Sequence, residues 1–166
     1  MTDVSLRSEL VGTAGLTALA CVALFLVLQR RLTPTDPAGE RRTIALFAVG
    51  ILLQCSHFIE EYATGFYRLF PEMFGLAAWS QRFFLIFNLT WLAVFVWAAF
   101  AARTRSRAAY FPIWFFALAA IANGVAHPLL AIRAGGYFPG LVSAPFVGGV
   151  GVWLLVRLVA NTTTMR

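Results

Sequence analysis

Five long apolar stretches limit what this chain can fold into. A helix that crosses a bilayer needs about 20 mainly apolar residues, and segments 10–29, 44–62, 82–102, 109–132 and 141–159 meet that requirement. Inside hydrocarbon every backbone polar group must be satisfied within the protein, so stretches of this kind become helices. The sequence therefore predicts an all-α, polytopic membrane bundle of about five helices, organised as one domain over residues 1–166. Composition agrees. Only 12% of residues are charged and 60% are hydrophobic, whereas soluble domains carry about 25% charged residues. A soluble globular reading fails here.

The charge pattern sets an expected orientation. The chain has 13 basic residues, all Arg, and a net charge of +6. In a soluble protein that excess would suggest nucleic acid. Here the arginines flank apolar segments, so they are read as topology determinants and anionic-lipid contacts, with no nucleic-acid partner. Arg30, Arg31, Arg41, Arg42, Arg103, Arg105, Arg107, Arg157 and Arg166 fall on one side of a five-span chain. Arg7, Arg68, Arg82 and Arg133 fall on the other. The positive-inside rule then places the N-terminus outside and the C-terminus in the cytoplasm. The N-terminal stretch lacks a basic leader region and a cleavage site, and is expected to be a retained helix.

Smaller signals are set aside. Cys21 and Cys55 both lie inside predicted spans and read as packing residues. The sequons Asn88-Leu89-Thr90 and Asn161-Thr162-Thr163 lie in a span and near the expected cytoplasmic tail. Residues 63–81 connect the second and third spans and are aromatic, with Phe66, Tyr67, Phe70, Phe74 and Trp79. Such a segment is expected in the headgroup region, where amphipathic rings are favoured. Polar residues 30–43, with Pro34 and Pro37, read as a linker.

Against this background the polar residues inside spans stand out, because each ionisable group there costs about 2.5–3.5 kcal/mol on insertion scales. His57-Phe58-Ile59-Glu60-Glu61 places an imidazole and two carboxylates within one helical turn. Gln54 lies one turn further in on the same face, Asn123 and His127 are one turn apart in the fourth span, and Asn88 sits about two turns into the third. At about 1.5 Å per residue, His57 is about 20 Å and His127 about 27 Å from the cytoplasmic start of their spans, each near the outer end, and Asn88 reaches a similar level from the other side. Three helices thus bring polar groups to one layer. Pro128 removes an N–H beside His127 and predicts a kink that opens room there. Pro145 has the same expected effect in the fifth span, and Pro112 reads as an N-terminal proline. His57 and His127 are 70 residues apart, as are Gly65 and Gly135, and Tyr67 and Tyr137, which suggests a worn parallel duplication.

His57-x-x-Glu60-Glu61 and the following Tyr62-x-Thr64-Gly65-Phe66 resemble the bacterial HXXEE-domain membrane proteins. Asn123-x-x-x-His127 and Tyr137-x-Pro139-Gly140 resemble later motifs of that family, so the likeness covers most of the chain from the second span onward. The resemblance implies a small multi-span bundle in the inner membrane of a bacterium, with the His and Glu residues as its active site. Residue types and helix number are also similar to the five-helix sterol isomerases, without a shared motif.

The expected function is an intramembrane enzyme acting on a lipid-like substrate, with His57, Glu60, Glu61 and His127 as catalytic residues. Gln54, Asn88 and Asn123 are expected to bind substrate. Two imidazoles and a carboxylate, from His57, His127 and Glu61, form a ligand set used for zinc or iron; the second carboxylate would be a general base. Metal-free proton transfer by the same residues is the alternative chemistry. A non-enzymatic binder or transport component is the alternative function. The expected partners are membrane lipids and a hydrophobic small molecule.

Overall fold

In a computed structural model of the chain, residues 3–32 and 36–164 are described. Helix α1 spans Asp3–Gln29, α2 Pro37–Thr64, α3 Phe66–Met73, α4 Gln81–Ala101, α5 Arg107–Ala134 and α6 Ala144–Asn161. A 3-10 turn, Ala102–Thr104, follows α4, and two short strands, β1 (Arg30–Arg31) and β2 (Thr163–Thr164), pair antiparallel. Five helices are long and apolar enough to cross a membrane, as the sequence predicts, at Leu6–Gln29, Pro37–Thr64, Gln81–Thr104, Arg107–Ala134 and Ala144–Asn161.

The boundaries differ from expectation where polar residues join a helix. Half of the supposed linker is the first turns of α2. Asp36 caps that helix by accepting from the amides of Ala38 and Gly39, and Pro37 occupies its first turn, where no N–H is needed. Pro34 and Arg166 lie outside the described residues. α5 continues through Pro128 to Ala134, so that proline does not end it, and Pro112 lies inside the helix. Pro145 opens α6 instead of interrupting a span.

α2 and α5 are alike in register. Each has 28 residues, each starts after a side-chain cap (Asp36, Ser106), and each ends in a left-handed glycine (Gly65 at φ 83°, Gly135 at φ 72°). All of these boundaries obey the 70-residue offset. Glycine is the natural residue at both stops, because a left-handed C-cap is strained for a residue carrying a Cβ.

Helix α5 is the hub of the bundle. It packs against α6, α1 and α4, while α2 packs against α6 and α4. The α5–α6 contact is close because small residues face each other: a Cβ on Gly124 would lie 2.8 Å from the Cα of Gly148. Without water to drive association, such backbone proximity is a main source of helix pairing in lipid. The main core surrounds Phe47, Ile113, Trp114, Phe116, Val147 and Leu154.

The two ends of the bundle are tied differently. At the arginine-rich end Arg105 donates through Nε and Nη2 to the two oxygens of Glu40 (3.2 and 3.0 Å), and Tyr110 donates to the same carboxylate (3.0 Å). Arg30 donates to Thr162 Oγ1 (3.1 Å), and Asn161 to Thr43 Oγ1 (2.8 Å). At the opposite end Trp79 donates to the carbonyl of Ser8 (3.2 Å) and Ser8 to that of Ala77 (2.5 Å), pinning the α3–α4 connection onto α1.

Gly148→Val should force α5 and α6 apart and cost about 1–3 kcal/mol by overpacking. Unfolding in mixed detergent micelles is expected to show that loss, and wild-type stability would contradict the close approach.

Candidate functional site

The site is assembled at the end of the bundle opposite Glu40, where α2, α5 and the α5–α6 loop meet. Glu60 and Glu61 are neighbours in sequence, but the helix turns them about 100° apart, and the two carboxylates enter different networks. Glu60 faces the loop. It accepts from the Tyr137 hydroxyl (2.8 Å), the Val142 amide (3.0 Å), the Ser143 amide (2.9 Å) and the Ser143 hydroxyl (2.5 Å). Four donors suit an ionised, acceptor-only carboxylate. Two of them are backbone N–H groups at the start of α6, where the helix dipole favours negative charge. Ser143, the N-cap residue of α6, makes no side-chain cap bond of its own. Glu60 therefore caps α6 from α2.

Glu61 faces inward and joins both histidines. Its Oε1 lies 3.5 Å from His57 Nε2 and 3.4 Å from His127 Nε2. The imidazoles meet edge to face, with ring centroids 4.7 Å apart and planes at 87°. His57 is fully buried and His127 and Glu61 nearly so. One donor atom from each of the three lies within 4.8 Å of the others, a grouping that could hold a metal ion.

The far nitrogens of the rings identify their tautomers. His127 Nδ1 is 2.6 Å from the carbonyl oxygen of Pro139, which can only accept, so Nδ1 carries the proton. His57 Nδ1 is 2.8 Å from Ser143 Oγ. The single hydroxyl proton of Ser143 is directed at Glu60, so Ser143 accepts from His57 Nδ1–H. In the neutral form both rings then present Nε2 lone pairs to the Glu61 carboxylate. His57 Nε2 is a buried polar atom without a hydrogen-bond partner, a state it shares with Trp114 Nε1 among the described residues. Its 3.5 Å approach to Glu61 is too long for a good hydrogen bond.

Gly140 allows this arrangement. It adopts φ 86°, and a Cβ there would run into the His127 ring and come within 2.9 Å of His57 Cε1. The loop backbone thus passes directly against both imidazoles.

A cavity of about 300 Å³ leads away from Glu61 and His127. Gln54, Asn88 and Asn123 all line it, together with Phe66, Phe84, Trp91, Phe95 and Phe116. Asn88 donates to the carbonyl of Phe84 (2.9 Å), whereas the side-chain amides of Gln54 and Asn123 have no hydrogen-bond partner among the described residues. His57 stands behind Glu61, off the cavity wall, and Glu60 lies outside the cavity. Of the four residues expected to be catalytic, the structure joins His57, Glu61 and His127 and gives Glu60 to the loop.

The aromatic connection, expected in the headgroup region, lies at the same end of the bundle as the site. Part of it forms α3 and folds over the site. Phe66 lies 5.5 Å from the His127 ring and stacks on Phe70 at 4.8 Å, and Trp79 is buried beside them. Sequence reasoning missed Ser143 as a site residue. Its signal was local: a serine two residues before Pro145 marks a helix start.

Comparison with protein-family models, curated proteins and solved structures returns no match to this chain.

Tyr137, on the loop, has its pKa raised by burial and by its hydrogen bond to Glu60. A phenol whose folded pKa exceeds the unfolded value of about 10 adds stability that is fully present below pH 10 and lost as pH rises through the folded value. Ultraviolet difference titration of wild type against Tyr137→Phe should isolate a phenol ionising above the ordinary range. A missing tyrosine that titrates at or below about 10 would contradict the Glu60 contact.

Proposed function

We propose that the protein is an intramembrane, metal-dependent enzyme acting on a lipid-like substrate, with His57, Glu61 and His127 as the metal ligands. The observation that carries this reading is the unpartnered, buried Nε2 of His57. Both Nδ1 protons are committed, to Ser143 and Pro139. Two Nε2 lone pairs and a carboxylate oxygen therefore converge with no proton among them. A proton on Glu61 could satisfy one imidazole and would leave the other bare. A divalent cation satisfies all three. The two carboxylate–imidazole spacings also suit an ion, since two donors about 2.1 Å from a tetrahedral ion stand about 3.4 Å apart, against the 3.4 and 3.5 Å found here, and all three donors lie within 4.8 Å of one another.

Zinc or iron(II) suits two imidazoles and a carboxylate. When bound, such an ion would act as a Lewis acid toward a carbonyl or phosphoryl oxygen and would acidify water. The residues of the chain supply the rest. Pro139 and Ser143 fix the ring tautomers, as outer-shell partners do in metal sites. Gln54 and Asn123 offer uncommitted amides for a polar group of the substrate. Phe66, Phe70 and Trp79 exclude water. Glu60, with four hydrogen bonds already made, serves the loop and not as the general base.

The arginine distribution supports a cytoplasmic C-terminus with the site toward the outer face, and the resemblance supports a bacterial inner membrane. The four motifs favour kinship with the HXXEE-domain proteins.

Purified, tag-free protein should contain close to one equivalent of zinc or iron by mass spectrometry. His57→Ala, Glu61→Ala and His127→Ala should each lose it while remaining folded. A folded, metal-free wild type that cannot be loaded would sink the metal reading and leave proton transfer by the same three residues. Glu60→Gln keeps all three ligands but cannot accept every loop donor, so it should weaken zinc binding about 10–100-fold. Unchanged affinity in a titration would show that the loop does not control the ligands.

A further inference from the structure

We propose that the substrate is a lipid with a single hydrocarbon chain, which enters from the bilayer through the seam between α1 and α4. This deepens, and rests on, the reading of the site as an enzyme centre. Three features of the structure lead to it.

The first is the shape and polarity of the cavity. Its polar groups lie in the outer part: Glu61 and His127 at the end, Asn123 and Gln54 about one turn and two turns further in, and Thr13 and Asn88 on the facing helices. Beyond them the wall is aromatic and aliphatic down to Phe95 and Phe116. From His127 to Phe116 is 11 residues of α5, or about 16 Å along the helix. The volume, about 300 Å³, is at the small end of ligand pockets, which run from about 300 to 1,000 Å³. A narrow space of that depth suits one chain better than two chains or a fused-ring body. Its polarity also runs in the direction of a lipid leaflet, with the head toward the surface and the tail toward the midplane. A lipid could therefore enter without inverting.

The second feature is the closed roof. Trp79 sits against Gly12, where a Cβ would collide with its ring, and donates to the Ser8 carbonyl. Phe66 and Phe70 stack beside it. Direct entry from the aqueous end is blocked.

The third is the open side. α1 and α4 both pack on α5 but hardly touch each other. Gly15, on the α1 side of this seam, lines the cavity, and a Cβ built on it meets nothing within 4 Å. On the α4 side a groove of about 570 Å³ shares Phe83, Phe87 and Trp91 with the cavity. Glu9 and Arg82 mark the polar end of that groove, which is also the end where the reactive cluster lies.

The test uses the full-length protein in lipid nanodiscs and a bromolauroyl monoglyceride carrying bromine on its terminal carbon. Bromine quenches tryptophan on contact, and Trp91 lines both the groove and the cavity. Saturable quenching by the monoglyceride is expected, above the baseline set by a brominated diacyl phosphatidylcholine. Gly15→Phe, which puts a side chain into open space, should abolish the saturable part while zinc content stays at the wild-type level. Trp91→Phe should reduce it in a protein whose seam is intact. Quenching that never exceeds the diacyl baseline would overturn the proposal, as would full saturable quenching in both variants. Saturable quenching in a protein that binds no zinc would uphold the chain site and overturn the metal reading alone.

Discussion

The carboxylate of Glu60 is the constraint on which the rest of the site depends. It gathers four hydrogen bonds from a nine-residue loop, residues 135–143, and so fixes that loop to α2. The same loop carries the Pro139 carbonyl, the Ser143 hydroxyl and the Gly140 backbone, which together hold both imidazoles. Without the Glu60 contacts, the start of α6 would lose its cap and His57 would lose the group that sets its tautomer. Glu60 is only half-buried, and an ionised group is costly near a bilayer unless its hydrogen bonds are complete. Here they are. The charge that is hard to place in a membrane is also what orders the loop.

Glu61 has the opposite character. One residue along the same helix, it faces two imidazoles whose protons point away from it. The contrast between a saturated carboxylate and an unsaturated one lies within a single dipeptide. Helix packing sustains that contrast. The glycines at 124 and 148 let α5 and α6 approach closely, which sets the loop against His57 and His127. The α3 segment then closes the top with rings, so Glu61 and His127 open toward the cavity, whose wall is polar near them and aromatic deeper in.

Much of this could be read in the sequence. Spans were legible because hydrocarbon leaves the backbone no alternative to helix, and the shared depth of His57 and His127 followed from a fixed rise per residue. Other features were hidden for physical reasons. Whether Glu60 or Glu61 turns inward depends on how α2 is rotated, and an apolar sequence on nearly every face gives no signal of rotation. The aromatic run at 66–79 is equally at home at a headgroup boundary or over a cavity, since both are half-apolar surroundings. Ser143 is an ordinary polar residue until a loop brings it to an imidazole. The α2 boundary was placed seven residues late because Pro37–Arg42 is polar, although Asp36-Pro37 is a helix-start signal.

The central claim is that both imidazoles keep their protons on Nδ1 and present bare Nε2 atoms to Glu61. Nitrogen-15 NMR of imidazole-labelled protein, recorded without metal and then with added zinc, measures this directly. The account predicts, in the zinc-loaded protein, Nδ1–H on both rings, no proton on either Nε2, and both Nε2 resonances displaced by the metal. A ring carrying its proton on Nε2, or a pair of Nε2 resonances that zinc does not move, would contradict it.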